Sequence, residues 1–116
     1  MNGRIPDCRH PEITGGVLCW SEGDIFELNL KMRLFSLGVE LIDLTGYTLE
    51  ALFFDAGGGG VHTFTSEGDG SCVFTLDFTS SVSAKFPAGK YFYDVRVSEP
   101  DGRRTCVVRR APASVR

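Results

Sequence analysis

One segment, PAGKYFYDVRVSEPDG at residues 87–102, constrains the fold of this chain more than any other. Between two turn sequences, apolar residues alternate with a mixed set: Tyr91, Tyr93, Val95 and Val97 against Phe92, Asp94 and Arg96. Successive side chains of a β-strand point to opposite faces, so the alternation predicts a strand with an apolar face packed inward and a mixed face toward solvent. The segment therefore predicts a half-buried antiparallel sheet.

The same two-residue period recurs along the chain. It predicts strands over DIFELNLKM (24–32), TLEALFFD (48–55), VHTFT (61–65) and SCVFTLDF (71–78), and shorter or less regular strands over 17–20, 39–44 and 103–110. A loop is predicted to begin at residues 35–38, and residues 79–86 have the spacing of one helical turn. Turn sequences, including the tract Gly57–Gly60, separate the strands.

These elements predict an all-β fold. About seven short strands, separated by turn signals every eight to twelve residues or so, match a two-sheet β-sandwich with a Greek-key-like connection. An open barrel is the alternative that the pattern leaves open. Residues 1–14 carry Gly3, Pro6 and Pro11 without periodicity, so they are predicted to form an irregular arm, and residues 15–116 a single sandwich domain.

Charge narrows the classes of partner. The chain has 116 residues, 42% of them hydrophobic, and a net charge of −3, which gives no electrostatic footprint for nucleic acid or an anionic membrane. The last fourteen residues nevertheless hold five arginines and no acid: Arg103, Arg104, Arg109, Arg110 and Arg116. Two interpretations fit these arginines. They blunt an exposed edge strand, or they dock on an acidic partner surface or on phosphate.

The four cysteines are interpreted through the compartment in which the chain is made. The N-terminal sequence lacks the continuous apolar segment of a signal peptide, and no run approaches the length of a membrane span. Synthesis in the cytoplasm is therefore expected. Cys8, Cys19, Cys72 and Cys106 could form two disulfides in three pairings, but a reducing compartment predicts free thiols.

No catalytic residue, cofactor site or metal site is predicted. The tract Gly57–Gly60 lacks the following Lys and Ser/Thr of a P-loop. Cys8, His10 and Cys19 lack the doubly paired spacing of a zinc site, and His62 has no associated nucleophile. The aspartates mostly occupy turns or outward strand positions, where turn capping explains them; a loop cluster that binds a hard cation such as calcium is the open alternative.

Several aromatic residues fall where the alternation does not assign them to the core. Exposed aromatic side chains mark partner surfaces, because aromatic anchors dominate interface energetics. Phe92 belongs to this aromatic set. With the clustered arginines, the others give the predicted interface residues: Trp20, Phe35, Phe54, Arg103, Arg104, Arg109 and Arg110.

Four ordered segments carry a family resemblance: EGDIFELNLKM, LIDLTGYTLEALFF, GDGSCVFTLDFTSS and FPAGKYFYDVRVSEPDGRRTCVVR. Across residues 22–110 they resemble the β-sandwich domain at the N-terminus of phage upper baseplate proteins and of related short tail proteins of phages and prophages of Firmicutes. The resemblance implies an immunoglobulin-like sandwich that assembles with copies of itself or with other tail components and performs no chemistry.

The expected function is therefore that of a non-enzymatic phage or prophage tail or baseplate structural protein, made in the bacterial cytoplasm and located in the virion. Its expected partners are other tail proteins or copies of itself in a homo-oligomer, not nucleic acid or membrane. Unpaired strand edges at 103–110 or 61–65 are the predicted route of contact. The alternative is a bacterial carbohydrate- or ligand-binding sandwich, whose concave surface would be lined by Trp20 and several Phe and Tyr side chains.

Overall fold

A computed structural model describes residues 12–14 and 17–116. In this part of the chain it contains ten strands and one short helix, so the all-β prediction is confirmed. The strands are β1 (Glu12–Thr14), β2 (Val17–Trp20), β3 (Phe26–Lys31), β4 (Leu34–Ser36), β5 (Val39–Leu41), β6 (Thr48–Asp55), β7 (Gly60–Glu67), β8 (Val73–Phe78), β9 (Gly89–Ser98) and β10 (Arg104–Val115), and helix α1 spans Ser80–Ser83.

The strands form one large and two small sheets. The six-stranded sheet has the order β1-β2-β10-β9-β6-β7, while β3 pairs with β8 and β4 with β5. Every pairing is antiparallel except that of β2 with β10, which is parallel over Ala113–Val115. Strand β7 lies at one end of the described sheet, so the predicted edge at 61–65 is confirmed for these residues.

The large sheet and the β3–β8 sheet pack face to face around an aromatic core. Phe78 of β8 lies 6.1 Å from Phe53 of β6 and 4.6 Å from Phe64 of β7, measured between ring centroids. The predicted alternation is confirmed on both layers: Leu49, Ala51, Phe53, Tyr91, Tyr93, Val95, Val97, Leu28, Leu30, Phe74, Leu76 and Phe78 are all buried. The period-two pattern therefore produces two facing apolar layers, as the sheet pleat requires.

The structure has more strands than the sequence predicts. The loop predicted from residue 35 is part of a hairpin, because β4 and β5 are joined by a tight two-residue turn. The last strand continues beyond residue 110 to Val115 and includes Pro112, which lies just before the segment that β2 covers; proline is tolerated at such edges. Glu12–Thr14 form β1 and not an irregular arm, and residues 1–11 lie outside the described part of the chain.

The cysteines differ from one another. Cys19 is disulfide-bonded, so the prediction that all four are unpaired is wrong for this residue. Cys72 and Cys106 are free, as predicted, although Cys106 is exposed and not part of the core. Cys8 lies outside the described residues. Among the described residues, no helix has the length and apolar character of a membrane span.

Candidate interaction surfaces

The β4–β5 hairpin exposes an unusual amount of apolar surface. Phe35, Val39 and Ile42 are between 59% and 77% exposed, and Leu37 is fully exposed at the tip. Scattered apolar side chains are normal on protein surfaces, but here four large ones fall within eight consecutive residues and make an apolar patch over both faces of the hairpin, since Phe35 pairs with Glu40 on one face and Val39 with Ser36 on the other. Such patches mark contact sites in soluble proteins.

The turn of this hairpin is strained. Leu37 and Gly38 both have positive φ, 52° and 81°. A two-residue turn with positive φ at both positions corresponds to type I′, in which Asn-Gly is the preferred pair. A leucine side chain in the left-handed region is unfavourable, because its Cβ crowds the backbone. The backbone conformation at Leu37 therefore favours another residue type. The Leu37 side chain also does not pack in the core.

The base of the hairpin is fixed to the rest of the molecule. Leu34 and Leu41 are partly buried against the core. On the other face, Arg33 forms an ion pair with Glu40 at 3.3 Å, and its guanidinium lies 5.9 Å from the Phe35 ring centroid. The hydrogen bond to Glu40 raises the pKa of Arg33. The exposed tip is thus presented from an anchored base.

A shallow groove runs beneath the hairpin. Its volume is about 150 Å³, and its walls come from the hairpin and from the end of the large sheet. The lining residues are Leu34, Phe35, Leu41, Tyr47, Val97, Glu99 and Thr105. The apolar hairpin and the start of β10 therefore line the same surface groove.

Strand β10 contains two bulges, and the second displays two predicted arginines. Between Val108 and Ala111 the register slips, so that Arg109 and Arg110 together lie opposite Asp94. Arg110 has a φ of 51°, and its backbone N–H donates to a carboxylate oxygen of Asp94 at 2.7 Å. The prediction that Asp94 faces solvent is wrong, since it is only 8% exposed and accepts this bond.

The surface of the large sheet turned away from the core, here called the outer face, brings Phe54 and Arg110 together. The Arg110 guanidinium lies 5.1 Å from the Phe54 ring centroid, within cation–π distance. Phe54 is also the cross-strand partner of Phe92, and Phe92 in turn of Pro112. Both phenylalanines are half-buried. Two of the predicted interface residues are thus neighbours on this face.

The other predicted arginines differ in their partners. Arg103 is exposed, and both its backbone N–H and its side chain, the latter at 2.8 Å, donate to Asp101; these two bonds lower the pKa of Asp101, and the side-chain bond raises that of Arg103. Arg104 and Arg109 are also exposed, and within the described ranges neither forms an ion pair. From Arg104 to Ala111, β10 pairs with β9 alone, so its second side is open in the part of the chain described.

Trp20 is a predicted interface residue that the structure places in the core and not on the surface. It is completely buried, and its ring lies 5.1 Å from that of Phe78 and 5.4 Å from that of Phe86. Its indole nitrogen has no hydrogen-bond partner among the described residues. The prediction failed because a single Trp between a short strand and a turn has no alternation to place it. A carbohydrate-binding surface lined by Trp20 therefore has no basis in this fold.

The turn carboxylates act as caps. Asp24, Asp43, Asp55, Asp69 and Asp101 each accept a hydrogen bond from a backbone N–H within four residues, as predicted for turn chemistry. The two bonds from Thr45 lower the pKa of Asp43. No group of three or more His, Cys, Asp or Glu residues suited to a metal occurs in the described ranges.

His62 lies in β7 beside the residues that follow helix α1. It is half-buried, its ring packs edge-on against Phe64 at 4.6 Å, and its Nδ1 lies 3.3 Å from Lys85 Nζ. Burial, and secondly the charge of Lys85, lower its pKa. These contacts with Phe64 and Lys85 account for His62 as a packing residue.

Sequence reasoning found Phe35 but missed Leu37, Val39 and Ile42. A signal was present: the run LFSLGVELI at 34–42 is apolar on both sides of a Leu-Gly pair. It was missed because hairpin turns are recognised by Asn-Gly or Asp-Gly, and this turn has neither.

Comparisons of this chain with protein-family models, with curated proteins and with solved structures find no match.

Proposed function

We propose that this chain is a non-enzymatic assembly module that acts by protein–protein contact, and that its role is that of a phage or prophage tail or baseplate structural protein. The observation that carries the proposal is the exposed apolar patch of the β4–β5 hairpin and of the residue after it: Phe35, Leu37, Val39 and Ile42. The part of the proposal that concerns phage tails, including an immunoglobulin-like arrangement of the two layers, rests on the resemblance of residues 22–110.

The energetics favour contact through the hairpin. Fully burying one such side chain contributes roughly 1.5–3 kcal/mol. Four together can offset much of the cost of association, which is about 4–15 kcal/mol. No other segment in the described part of the chain exposes more than one large apolar residue; Ile25 stands alone at 68%.

Strain at the tip supports the same conclusion. Backbone strain of about 1–3 kcal/mol per residue persists where surrounding structure or function maintains it. Within the part of the chain that the structure describes, Leu37 has no packing partner that would maintain it, since its side chain is fully exposed. A partner that buries the Leu37 side chain would explain why the strained turn carries a leucine.

The test compares a hairpin variant, Phe35→Ser with Leu37→Asn and Ile42→Ser, with the wild type by light scattering. Each protein is measured alone and with the products of the genes adjacent to its own. We expect the wild type to form oligomers or to bind one of these products, and the hairpin variant to do neither. Leu37→Asn suits the turn, so loss of contact should not reflect unfolding.

Ile25→Ser is the matched control, because it removes an exposed isoleucine outside the hairpin. It should assemble like the wild type. A wild type that stays monomeric and binds none of the neighbouring products would contradict the proposal, as would a hairpin variant that assembles normally.

A further inference from the structure

The outer face of the large sheet carries positive charge that the fold leaves unneutralised. Arg96 and Glu50 are cross-strand partners, so their charges offset one another. Arg104, Arg109 and Arg110 form no ion pair within the residues described. These three exposed arginines are here called the basic surface.

The basic surface is held in a defined shape. The bond from the Arg110 backbone to the buried Asp94 carboxylate fixes the bulge, and the Phe54 ring supports the Arg110 guanidinium. Bulges re-aim side chains, and non-glycine residues at positive φ occur where a site needs a particular orientation. The strain at Arg110 is therefore explained by the direction in which the bulge points its arginines.

The opposite layer carries the complementary charge. Glu27 of β3 and Asp77 of β8 are direct cross-strand partners, and both are exposed. Like charges directly opposite each other destabilise a sheet. Neither carboxylate forms an ion pair within the described ranges, and the nearest lysine of these strands, Lys31, lies opposite Val73. These two residues are here called the acidic pair.

We propose that the basic surface of one copy of this chain docks on the acidic pair of the next. The two surfaces lie on opposite outer sides of the two facing layers, so each copy offers one of each. Such a contact is heterologous and joins copies head to tail, into a ring if the rotation closes and into a filament if it does not. Complementary charge sets the orientation and register of such contacts. The inference rests on the proposed assembly function and names its partner.

Two charge-reversed variants test it by sedimentation velocity. The first carries Arg109→Glu and Arg110→Glu, and the second carries Glu27→Arg and Asp77→Arg. Each should self-associate at least about tenfold more weakly than the wild type, because like charges now meet across the contact. An equimolar mixture should associate again, with the two variants alternating, because the original charges meet at one contact and the swapped charges at the next. A chain with all four substitutions should associate again.

The matched control reverses Lys85, an exposed lysine that belongs to neither surface, as Lys85→Glu, and it is compared with the single reversal Arg109→Glu, which changes the net charge by the same amount. It should associate like the wild type, and circular dichroism should show that all variants are folded. Charge variants that associate normally, or a mixture that forms no complex, would overturn the inference. So would a basic surface whose loss abolishes binding of a DNA oligonucleotide and leaves self-association intact.

The hairpin variant separates this inference from the proposed function. If removing the apolar tip abolishes contact and the charge variants behave as wild type, the inference fails and the function stands. If the wild type is monomeric and binds nothing, both fail. Loss of association in both sets of variants supports both.

Discussion

Asp94 shows how one residue shapes a surface of this molecule. Its carboxylate is buried on a face that the alternation assigns to solvent, because the bulge in which Arg109 and Arg110 lie opposite it adds one residue to β10, and the Arg110 backbone N–H bonds to it. No pattern in the sequence predicts this burial of Asp94. The aspartate lies in β9 and its partner Arg110 sixteen residues later, so only the pairing of the strands brings them together.

Asp94→Ala should destabilise the protein by about 1.5–3 kcal/mol, since a hydrogen bond to a charged acceptor is lost and the Arg110 N–H is left unpaired. Asp94→Asn should cost clearly less, because its amide oxygen can still accept the bond. Urea unfolding of the three proteins measures the difference. Equal stability of wild type and Asp94→Ala would show that the bulge does not depend on this bond.

At the scale of elements, the sequence predicts regular strands well and irregular ones poorly. The inward faces of β3, β6, β8 and β9 follow from period-two alternation alone. Strand β10 alternates poorly because Val107 and the Arg109–Arg110 bulge each add a residue and shift the pattern. The β4–β5 hairpin, which is the main candidate site, was missed because its turn residues are atypical. Irregularity thus hides these two elements from sequence reasoning.

The connection between the β6–β7 hairpin and β8 depends on a close approach of two backbones. A Cβ at Gly68 would lie 1.8 Å from the carbonyl oxygen of Leu44, whereas one at Gly60 would meet nothing within 4 Å. Gly68→Ala should therefore cost about 3 kcal/mol or more, because backbone must move. Gly60→Ala is the control and should change stability by no more than about 0.5 kcal/mol. Thermal unfolding measures both; similar melting temperatures for the two variants would refute the close approach.

At the scale of the whole molecule, the two layers give the chain a core and distinct outer surfaces. Trp20 and Phe78 belong to the core, so the aromatic residues available for contact are few. What remains outside is an apolar hairpin, a basic surface and an acidic pair. Each is a feature that folding of the isolated chain does not require.

The central claim is that this protein assembles through its apolar hairpin. Hydrogen–deuterium exchange of the wild-type protein, compared between dilute monomer and concentrated or partner-bound assembly, tests it most directly. Amide exchange in residues 34–42 should slow on assembly, while that of β9, which is hydrogen-bonded to β10 and β6 in either state, should change little. Unchanged exchange in 34–42, with protection appearing elsewhere, would contradict the account.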